Sequence, residues 1–167
     1  TDNPYLSDFY MDMKKWSFHS QIFFLASRLR HHRRLIEHPT SVIQDRTVYE
    51  DAEVFAENLY RQGERSERDY RTYRGMYEAL VELLPPPDLI IYLRSSLPTV
   101  KQRIAQRGRP YERNIPESYL ERIGRLYEEW IDRFTLCPVL AIPADDLDFV
   151  QHSEHLELIT ARVLDRL

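Results

Sequence analysis

"DLIIYLRSSLPTVKQRIAQRG", residues 88–108, joins an apolar run to a helical pattern and decides the fold class. Residues 88–94 form a short apolar run, which is typical of a buried strand in a parallel sheet. Residues 96–108 then have helical spacing, with Pro98 in the first turn and Gly108 where the helix should end. A strand that leads directly into a helix indicates an α/β fold.

The same two patterns continue on both sides of this stretch. Further strands are predicted at 41–45 and 138–144, and their alternation with helices predicts a parallel sheet flanked by helices. Ligands bind beyond the carboxyl ends of such strands, so residues 44–46, 94–96 and 144–149 are the positions of interest. The helices are predicted at 9–37, 48–63, 66–84, 116–134 and 153–167.

Length and composition indicate one globular domain spanning residues 1–167. The net charge of −4 argues against a general nucleic-acid binder, because such proteins present a basic field. Cys137 is the only cysteine, which excludes an internal disulfide and fits the cytoplasm. No apolar run approaches the roughly 20 residues of a membrane span, so we expect no membrane segment.

Arginine is concentrated in "IAQRGRPYERNIPESYLERI", residues 104–123. Arg103 and Arg107 are four residues apart and share one helix face, while Arg109 and Arg113 follow in a loop. Arginine forks suit phosphoryl oxygens, and a loop of arginines can neutralise a phosphoryl group during transfer. The alternative is a solvated surface in which these arginines pair with nearby acids: Glu112, Glu117 and Glu121.

The stretch "QDRTVYED", residues 44–51, places charges where a strand is predicted to end. Asp45 is positioned as a carboxylate that could hold Mg²⁺, and Arg46 could steer an anion or orient a second carboxylate. The alternative is a simple helix start, in which Thr47 is the N-cap and the acids after it favour the helix dipole.

The first predicted helix carries Gln21 and Arg28, seven residues apart and so on one face among aromatic residues. A buried glutamine and arginine need hydrogen-bond partners, which the edge of a nucleobase can supply. The alternative is solvent exposure, which the periodicity alone favours slightly. The six histidines show no metal-binding spacing.

The sequence printed here contains no glycine-rich phosphate loop. A phosphate-transferring enzyme of this layout normally opens with a strand and a G-x-x-x-x-G-K-[ST] loop. Lysine follows none of the four glycines, which are Gly63, Gly75, Gly108 and Gly124.

Several stretches resemble the deoxynucleoside kinase family, particularly its bacterial deoxyadenosine/deoxyguanosine kinase branch. They occur in family order and cover most of the chain. These stretches are "NPYLSDFYMDMKKWSFHSQIFFLASR", "QDRTVYEDAEVFAENLY", "PDLIIYLRSS", "RIAQRGRPYERNIPESYLERI", "LYEEWI" and "DFV". The resemblance implies a P-loop kinase-like architecture that lacks, in these residues, its first strand and phosphate loop.

The resemblance also implies which residues bind the deoxynucleoside. Gln21 would pair with the base, and Arg28 and Asp51 would complete its recognition. The other implied contacts are the pocket walls Trp16 and Phe24 and the clamp on the sugar 3′-hydroxyl, Tyr10 and Glu112, the latter supported by Tyr119.

At the phosphate end, the resemblance implies that Asp45 serves the Mg²⁺ environment and that Arg46 lies beside the 5′-hydroxyl. A lid at about 103–115 would cover the ATP phosphates, and Phe149 would pack near the adenine. The lid arginines would be Arg103, Arg107 and Arg109.

The activity implied is ATP-dependent 5′-phosphorylation of deoxynucleosides, purines preferred, in nucleotide salvage by a cytoplasmic homodimer. The alternatives are a thymidylate-type nucleoside monophosphate kinase and a non-catalytic nucleoside-binding subunit. The family's first strand, phosphate loop and catalytic glutamate precede the "NPYL"-type segment and are absent here. Either this is the remainder of a longer chain or the protein cannot catalyse the reaction, and the matching nucleoside and lid residues favour the remainder.

Overall fold

The computed structural model describes residues 3–109 and 115–167, and the chain forms two compact units, Thr1–Pro85 (unit 1) and Pro86–Leu167 (unit 2). Unit 1 is helical within its described residues. A π-helical stretch, Asp51–Ala56, joins α3 to α4 without a break. The helices of unit 1 are α1 (Leu6–Met11), α2 (Met13–Ile36), α3 (Val48–Glu50), α4 (Glu57–Arg61) and α5 (Glu67–Val81).

The helix predicted at 9–37 is interrupted at Asp12. This residue leaves helical geometry (φ −148°, ψ 85°) and ends α1, and its side chain accepts a hydrogen bond from the Lys15 amide at 3.0 Å. An aspartate that bonds the backbone three residues later is an N-cap, so Asp12 starts α2. The interruption is therefore a capping event within an otherwise helical segment.

Gly63 and Ser66 form the turn between α4 and α5, as the sequence indicated. The Gly63 amide bonds to the Tyr60 carbonyl and the Glu64 amide to the Leu59 carbonyl, the pattern of a Schellman motif. Gly63 has a φ of 72°, which a residue without Cβ adopts at little cost. Ser66 then caps α5 by accepting from the Asp69 amide at 3.1 Å.

The core of unit 1 lies where α2 and α5 pack against the π-helical stretch. Tyr73 on α5 and Ala52 in the π-helical stretch are fully buried, and Leu25 on α2 is almost so. The remaining apolar core residues of this unit are Val48, Tyr49, Val54, Ala56, Leu59 and Tyr77.

Unit 2 contains a parallel pair of strands with helices, which confirms the α/β class. Strands β1 (Ile90–Arg94) and β2 (Val139–Pro143) pair in register from Ile90 with Val139 to Arg94 with Pro143. The helices are α6 (Leu97–Arg107), α7 (Glu117–Arg133) and α8 (Ser153–Leu164).

The predicted strand and helix at 88–108 are both found in unit 2. Pro98 lies at the start of α6, and Gly108 ends it in the left-handed conformation with a φ of 68°. The most buried apolar residues of the unit come from α7, β2 and the position after β2: Leu126, Trp130, Ile131, Ile142 and Ala144. The strand predicted at 88–94 is confirmed as β1, but it is half-buried rather than buried.

The strand predicted at 41–45 was wrong as well, since these residues have no regular structure. A strand needs a neighbour to satisfy its backbone groups, and none pairs with this segment within the described residues. Val42 is 43% exposed and Ile43 is 92% exposed, so the apolar run is also not buried. Across residues 3–109 and 115–167, no helix has the length and apolarity to cross a bilayer.

Candidate functional site

Gln21 on α2 is buried with an unsatisfied side-chain oxygen. The residue is 6% exposed, so the expectation of solvent exposure from periodicity was wrong. Its Oε1 is closed to solvent and finds no hydrogen-bond donor in the described part of the chain. Buried polar atoms are almost always hydrogen-bonded, so this oxygen indicates a place where a ligand donor belongs.

Arg28 lies two turns further along α2 and connects this helix to the π-helical stretch. Its Nε donates to Asp51 Oδ2 at 3.4 Å, and its Nη1 donates to the Asp45 carbonyl at 3.3 Å. The arginine is partly exposed, whereas Asp51 is nearly buried. The structure thus brings Arg28 to Asp51, the pair that the resemblance implied for base recognition, and to the backbone of Asp45.

Burial dominates the ionisation of the two acids at this point. Desolvation raises the pKa of Asp51 to about 6, although the Arg28 charge acts in the opposite direction. Desolvation also raises the pKa of Glu50, against hydrogen bonds from Thr47. A carboxyl with a pKa near 6 can accept a hydrogen bond when ionised or donate one when protonated.

Arg46 has a constrained backbone next to a helix start. Its φ is 62°, a left-handed value that a residue with a side chain seldom adopts, and such residues cluster at functional sites. Its guanidinium lies 4.9 Å from the centroid of the Phe55 ring. Thr47 and Glu50 form a capping box, in which the Thr47 amide donates to Glu50 Oε2 at 2.5 Å. The N-cap interpretation of Thr47 is therefore confirmed.

Phe55 is the residue at this site that sequence analysis missed. It follows Asp51 by four residues in the π-helical stretch and contacts Arg46, so it belongs to the same group. The available signal was an aromatic residue one turn after a candidate binding aspartate.

The aromatic residues of α1 and α2 are partly covered. Trp16 stacks on Tyr5 with ring centroids 5.9 Å apart, and Phe24 meets Phe23 edge to face at 6.4 Å. Tyr10 is 57% exposed on α1. Trp16 and Phe24 are only partly buried, and such rings can line a pocket for a flat ligand.

In unit 2, Arg103 on α6 binds the loop that follows β2. Its Nη2 donates to the carbonyls of Ala144 at 2.5 Å and Leu147 at 2.8 Å, and its Nη1 donates to Ser95 Oγ at 3.1 Å. Phe149 lies two residues beyond Leu147 and is 36% exposed. Arg103 and Phe149, predicted for the same nucleotide, are therefore attached to the same loop.

The other lid residues lie at and beyond the end of α6. Arg107 is in its last turn, and Arg109 follows Gly108 on the surface. Tyr119 is half-buried in the first turn of α7. Glu112, and with it the centre of the predicted lid, lies outside the described residues.

A groove of about 680 Å³ between α6 and α7 has the wrong charge for a phosphate site. Four carboxylates and one guanidinium line it, so a polyanion would be repelled. The charged lining residues are Glu121, Arg125, Glu128, Glu129 and Asp132. Among the described residues, no group of three His, Cys, Asp or Glu side chains is placed to hold a metal ion.

Comparisons with known proteins agree in pointing to one family. The family model described as "Deoxynucleoside kinase" matches residues 1–167. The deoxyadenosine/deoxycytidine kinase of Bacillus subtilis (strain 168) is 40% identical over 163 residues, which cover 96% of this chain and 75% of the relative. The deoxyguanosine kinase of the same organism is 36% identical over 170 residues, which cover 97% and 79%.

A solved structure has the same fold. The deoxyadenosine kinase from M. mycoides with bound dCTP superposes with a TM-score of 0.81 at 32% identity. The match covers 98% of this chain and 82% of that one. A likeness of this extent places the two units of the present chain in a P-loop kinase-like fold.

Proposed function

Because this chain belongs to the deoxynucleoside kinase family, we propose that it transfers the γ-phosphoryl group of ATP to the 5′-hydroxyl of a deoxynucleoside, purines preferred. The observation that carries the substrate assignment is the buried Gln21, whose Oε1 lacks a donor among the described residues. An uncharged, flat ligand with donors and acceptors on its edge satisfies such a group.

The base end of the pocket suits a purine. A glutamine amide can pair bidentately with adenine, and an arginine fork matches O6 and N7 of guanine. On α2, Gln21 supplies such an amide and Arg28 supplies such a guanidinium. Asp51, with a pKa of about 6, can accept from an exocyclic amine or donate to a ring acceptor. Trp16, Phe24 and Phe55 are the apolar walls in this proposal.

At the sugar end, Arg46 has the role of orienting the 5′-hydroxyl and neutralising the phosphoryl group that reaches it. Contact with Phe55 and an unusual backbone conformation restrict where the guanidinium can go. A charge held in position before the reaction stabilises a transition state more than one that must reorganise. Tyr10 and Glu112, the latter with Tyr119, are assigned to the 3′-hydroxyl.

The nucleotide end is assigned to α6 and the loop after β2. Arg107 and Arg109, with Arg103, are the cations for the triphosphate, and Phe149 is the apolar contact for adenine. ATP supplies the phosphoryl group when it is bound. The single Asp45 carboxylate, solvent-exposed beside Arg46, fits Mg²⁺, which takes one or two carboxylates together with phosphate oxygens and water.

Two relatives bear on the choice of base. The similar B. subtilis kinases are named for deoxyadenosine/deoxycytidine and for deoxyguanosine. Deoxycytidine is therefore the second candidate, because its amide-like edge also offers a donor and an acceptor to a glutamine. A thymidylate-type monophosphate kinase is less favoured, since the substrate's own phosphate needs a further cation. In this proposal Arg28 recognises the base together with Asp51, and Arg46 serves the transferred phosphoryl group, so neither is left for a second phosphate.

The test uses the protein expressed from its full coding sequence with ATP, Mg²⁺ and one substrate at a time. We expect deoxyadenosine or deoxyguanosine to yield its 5′-monophosphate together with ADP, both separated by chromatography. Failure to phosphorylate any deoxynucleoside, or phosphorylation of monophosphates alone, would exclude the proposal. The cytoplasmic homodimer stays a prediction, and light scattering on the purified protein tests its size.

A pair of variants tests the base contact. Gln21→Leu removes the amide at nearly constant volume, and we expect the deoxynucleoside KM to rise about 10-fold to 100-fold. Gln62→Leu makes the same change at an exposed position and should leave KM unchanged. Equal KM values for the two variants would remove Gln21 from the binding site.

A further inference from the structure

The loop at 144–152 after β2 is joined to the β1–α6 connection by hydrogen bonds in both directions. From the loop, Asp145 Oδ1 accepts the Ser96 amide at 2.7 Å. From α6, Arg103 donates to the carbonyls of Ala144 and Leu147. The loop is therefore bound to the helix segment at two points, the Ser96 amide before α6 and the Arg103 side chain within it.

Asp145 compensates for the incomplete start of α6. Ser96 is the N-cap, but its hydroxyl lies 3.2 Å from Thr99 Oγ1 and makes no capping bond to the backbone. Asp145 places a carboxylate there instead, at the positive end of the helix dipole. The Ser96 amide and the Thr99 hydroxyl lower the pKa of Asp145, so the carboxylate is charged at neutral pH.

A short turn that contains Phe149 follows the part of the loop that Arg103 binds. Asp148 Oδ1 accepts the amides of Val150 at 3.1 Å and Gln151 at 3.0 Å, and this closes the turn around Phe149. The Asp148 amide in turn donates to His155 Nδ1 at 2.9 Å. With Leu147 held by Arg103, the backbone on both sides of Phe149 is fixed.

We propose that Asp145 is a positioning residue for the nucleoside triphosphate: through its bond to the Ser96 amide it keeps α6 and the loop at 144–152 in one arrangement. Arg107 at the end of α6 and Phe149 in the loop then approach the nucleotide with a constant separation. The inference rests on the proposed function, because that function assigns these two residues to ATP.

We expect the loss of Asp145 to weaken the affinity for only one of the two substrates, ATP. Without Asp145, α6 and the loop sample more arrangements, and ATP must select the productive one. We expect Asp145→Ala to raise the KM for ATP about tenfold, with kcat at saturating ATP and the KM for the deoxynucleoside unchanged. Asp145→Asn keeps an acceptor oxygen and should recover most of the affinity.

Asp146 provides a matched control. It is the adjacent aspartate, equally exposed, and makes no hydrogen bond or ion pair within the described residues. Asp146→Ala should behave as the wild type. In parallel, hydrogen exchange should show the Ser96 amide exchanging faster in Asp145→Ala than in Asp146→Ala, since only the first removes its acceptor.

The experiment separates this inference from the proposed function. If the wild type phosphorylates deoxynucleosides but Asp145→Ala and Asp146→Ala have the same ATP KM, the positioning role is wrong. An Asp145→Ala variant that loses kcat and both substrates' affinities together also overturns it, since the role would then be general stability. If the wild type has no kinase activity, the proposed function fails, and the dissociation constant of a fluorescent ATP analogue replaces KM in the comparison. If Asp145→Ala does not fold, Asp145→Asn against Asp146→Asn decides, with about a threefold rise in the ATP KM expected.

Discussion

Two buried charged groups of unit 1 and two exposed carboxylates of unit 2 have opposite surroundings. In unit 1, desolvation raises the pKa of Asp51 to about 6 and lowers that of Arg65 to about 10, so burial favours the neutral form of both. In unit 2, Asp145 and Asp148 are exposed, and backbone amides lower the pKa of each. Burial therefore has the largest effect on Asp51 and Arg65, and hydrogen bonds from backbone amides have the largest effect on Asp145 and Asp148.

This difference matches two kinds of recognition. A buried pocket discriminates an uncharged ligand by its hydrogen bonds, because each unpaired group there is costly. An exposed arginine-bearing helix suits a triphosphate, whose charge needs neutralising but whose phosphates carry no identity. The proposal that unit 1 selects the deoxynucleoside and unit 2 holds the nucleotide follows from this contrast.

The largest effect is expected at Arg46. Arg46→Ala removes a guanidinium that Phe55 holds beside the phosphoryl acceptor in our proposal, and kcat should fall about 100-fold or more. Steady-state kinetics at saturating substrates measure it. Arg33→Ala is the control, since Arg33 is exposed and pairs only loosely with Glu37 at 3.6 Å. Similar kcat values for both variants would contradict the assignment.

The next effect is a pH dependence of stability from Asp51. Its pKa is about 6 in the folded state against an ordinary 3.8, so the folded protein binds the extra proton between these values. The stabilisation is complete below pH 3.8 and is lost as the pH rises through 6, a change of about 3 kcal/mol.

Asp51→Asn should abolish that dependence. We expect the unfolding free energy of the wild type, measured by urea denaturation, to fall relative to the variant between pH 4.5 and 7.5. Comparing the two proteins cancels the other titrating groups. Parallel profiles across this range would mean that Asp51 ionises normally.

A smaller effect on stability is expected at Arg65. Unlike most core substitutions, replacement of this residue should stabilise the protein. It is 3% exposed, donates from Nη2 to the Ser17 carbonyl at 2.9 Å and lies 5.0 Å from the Tyr73 ring. Its Nε and Nη1 are buried with no acceptor in the described residues. Arg65→Met replaces a desolvated cation by an apolar chain of similar length, so stability should rise by about 1 kcal/mol. A loss of stability in urea denaturation would contradict this expectation. It would show that the interactions of the Arg65 guanidinium stabilise the protein by more than its desolvation costs.

The smallest effect is expected in the exposed pairs of unit 2. Lys101 Nζ lies 2.6 Å from Glu117 Oε2, with the two side chains 49% and 56% exposed. Solvent screens such a pair, so Lys101→Ala should change stability by less than about 0.5 kcal/mol. A change in melting temperature as large as that caused by Asp51→Asn would contradict the contrast between the buried groups of unit 1 and the exposed groups of unit 2.

Most helices and both described strands could be predicted from the sequence. Pro98 and Gly108 mark the ends of α6, and Gly63 and Ser66 mark the turn before α5, because these signals act within a few residues. The segment at 41–45 could not be predicted in this way. Its apolar pattern resembles a strand, but a strand exists only where another strand pairs with it.

The candidate site likewise has features that the sequence determines and features that depend on tertiary contacts. The sequence by itself determined the chemistry available: the glutamine, the arginines, the aspartates and the helix periodicity that puts Gln21 and Arg28 on one face. Only the tertiary structure decided that Gln21 is buried, that Arg28 meets Asp51, and that Asp145 caps α6. Periodicity reports neighbours within a turn or two, whereas burial and pairing depend on segments 23 and 49 residues apart along the chain.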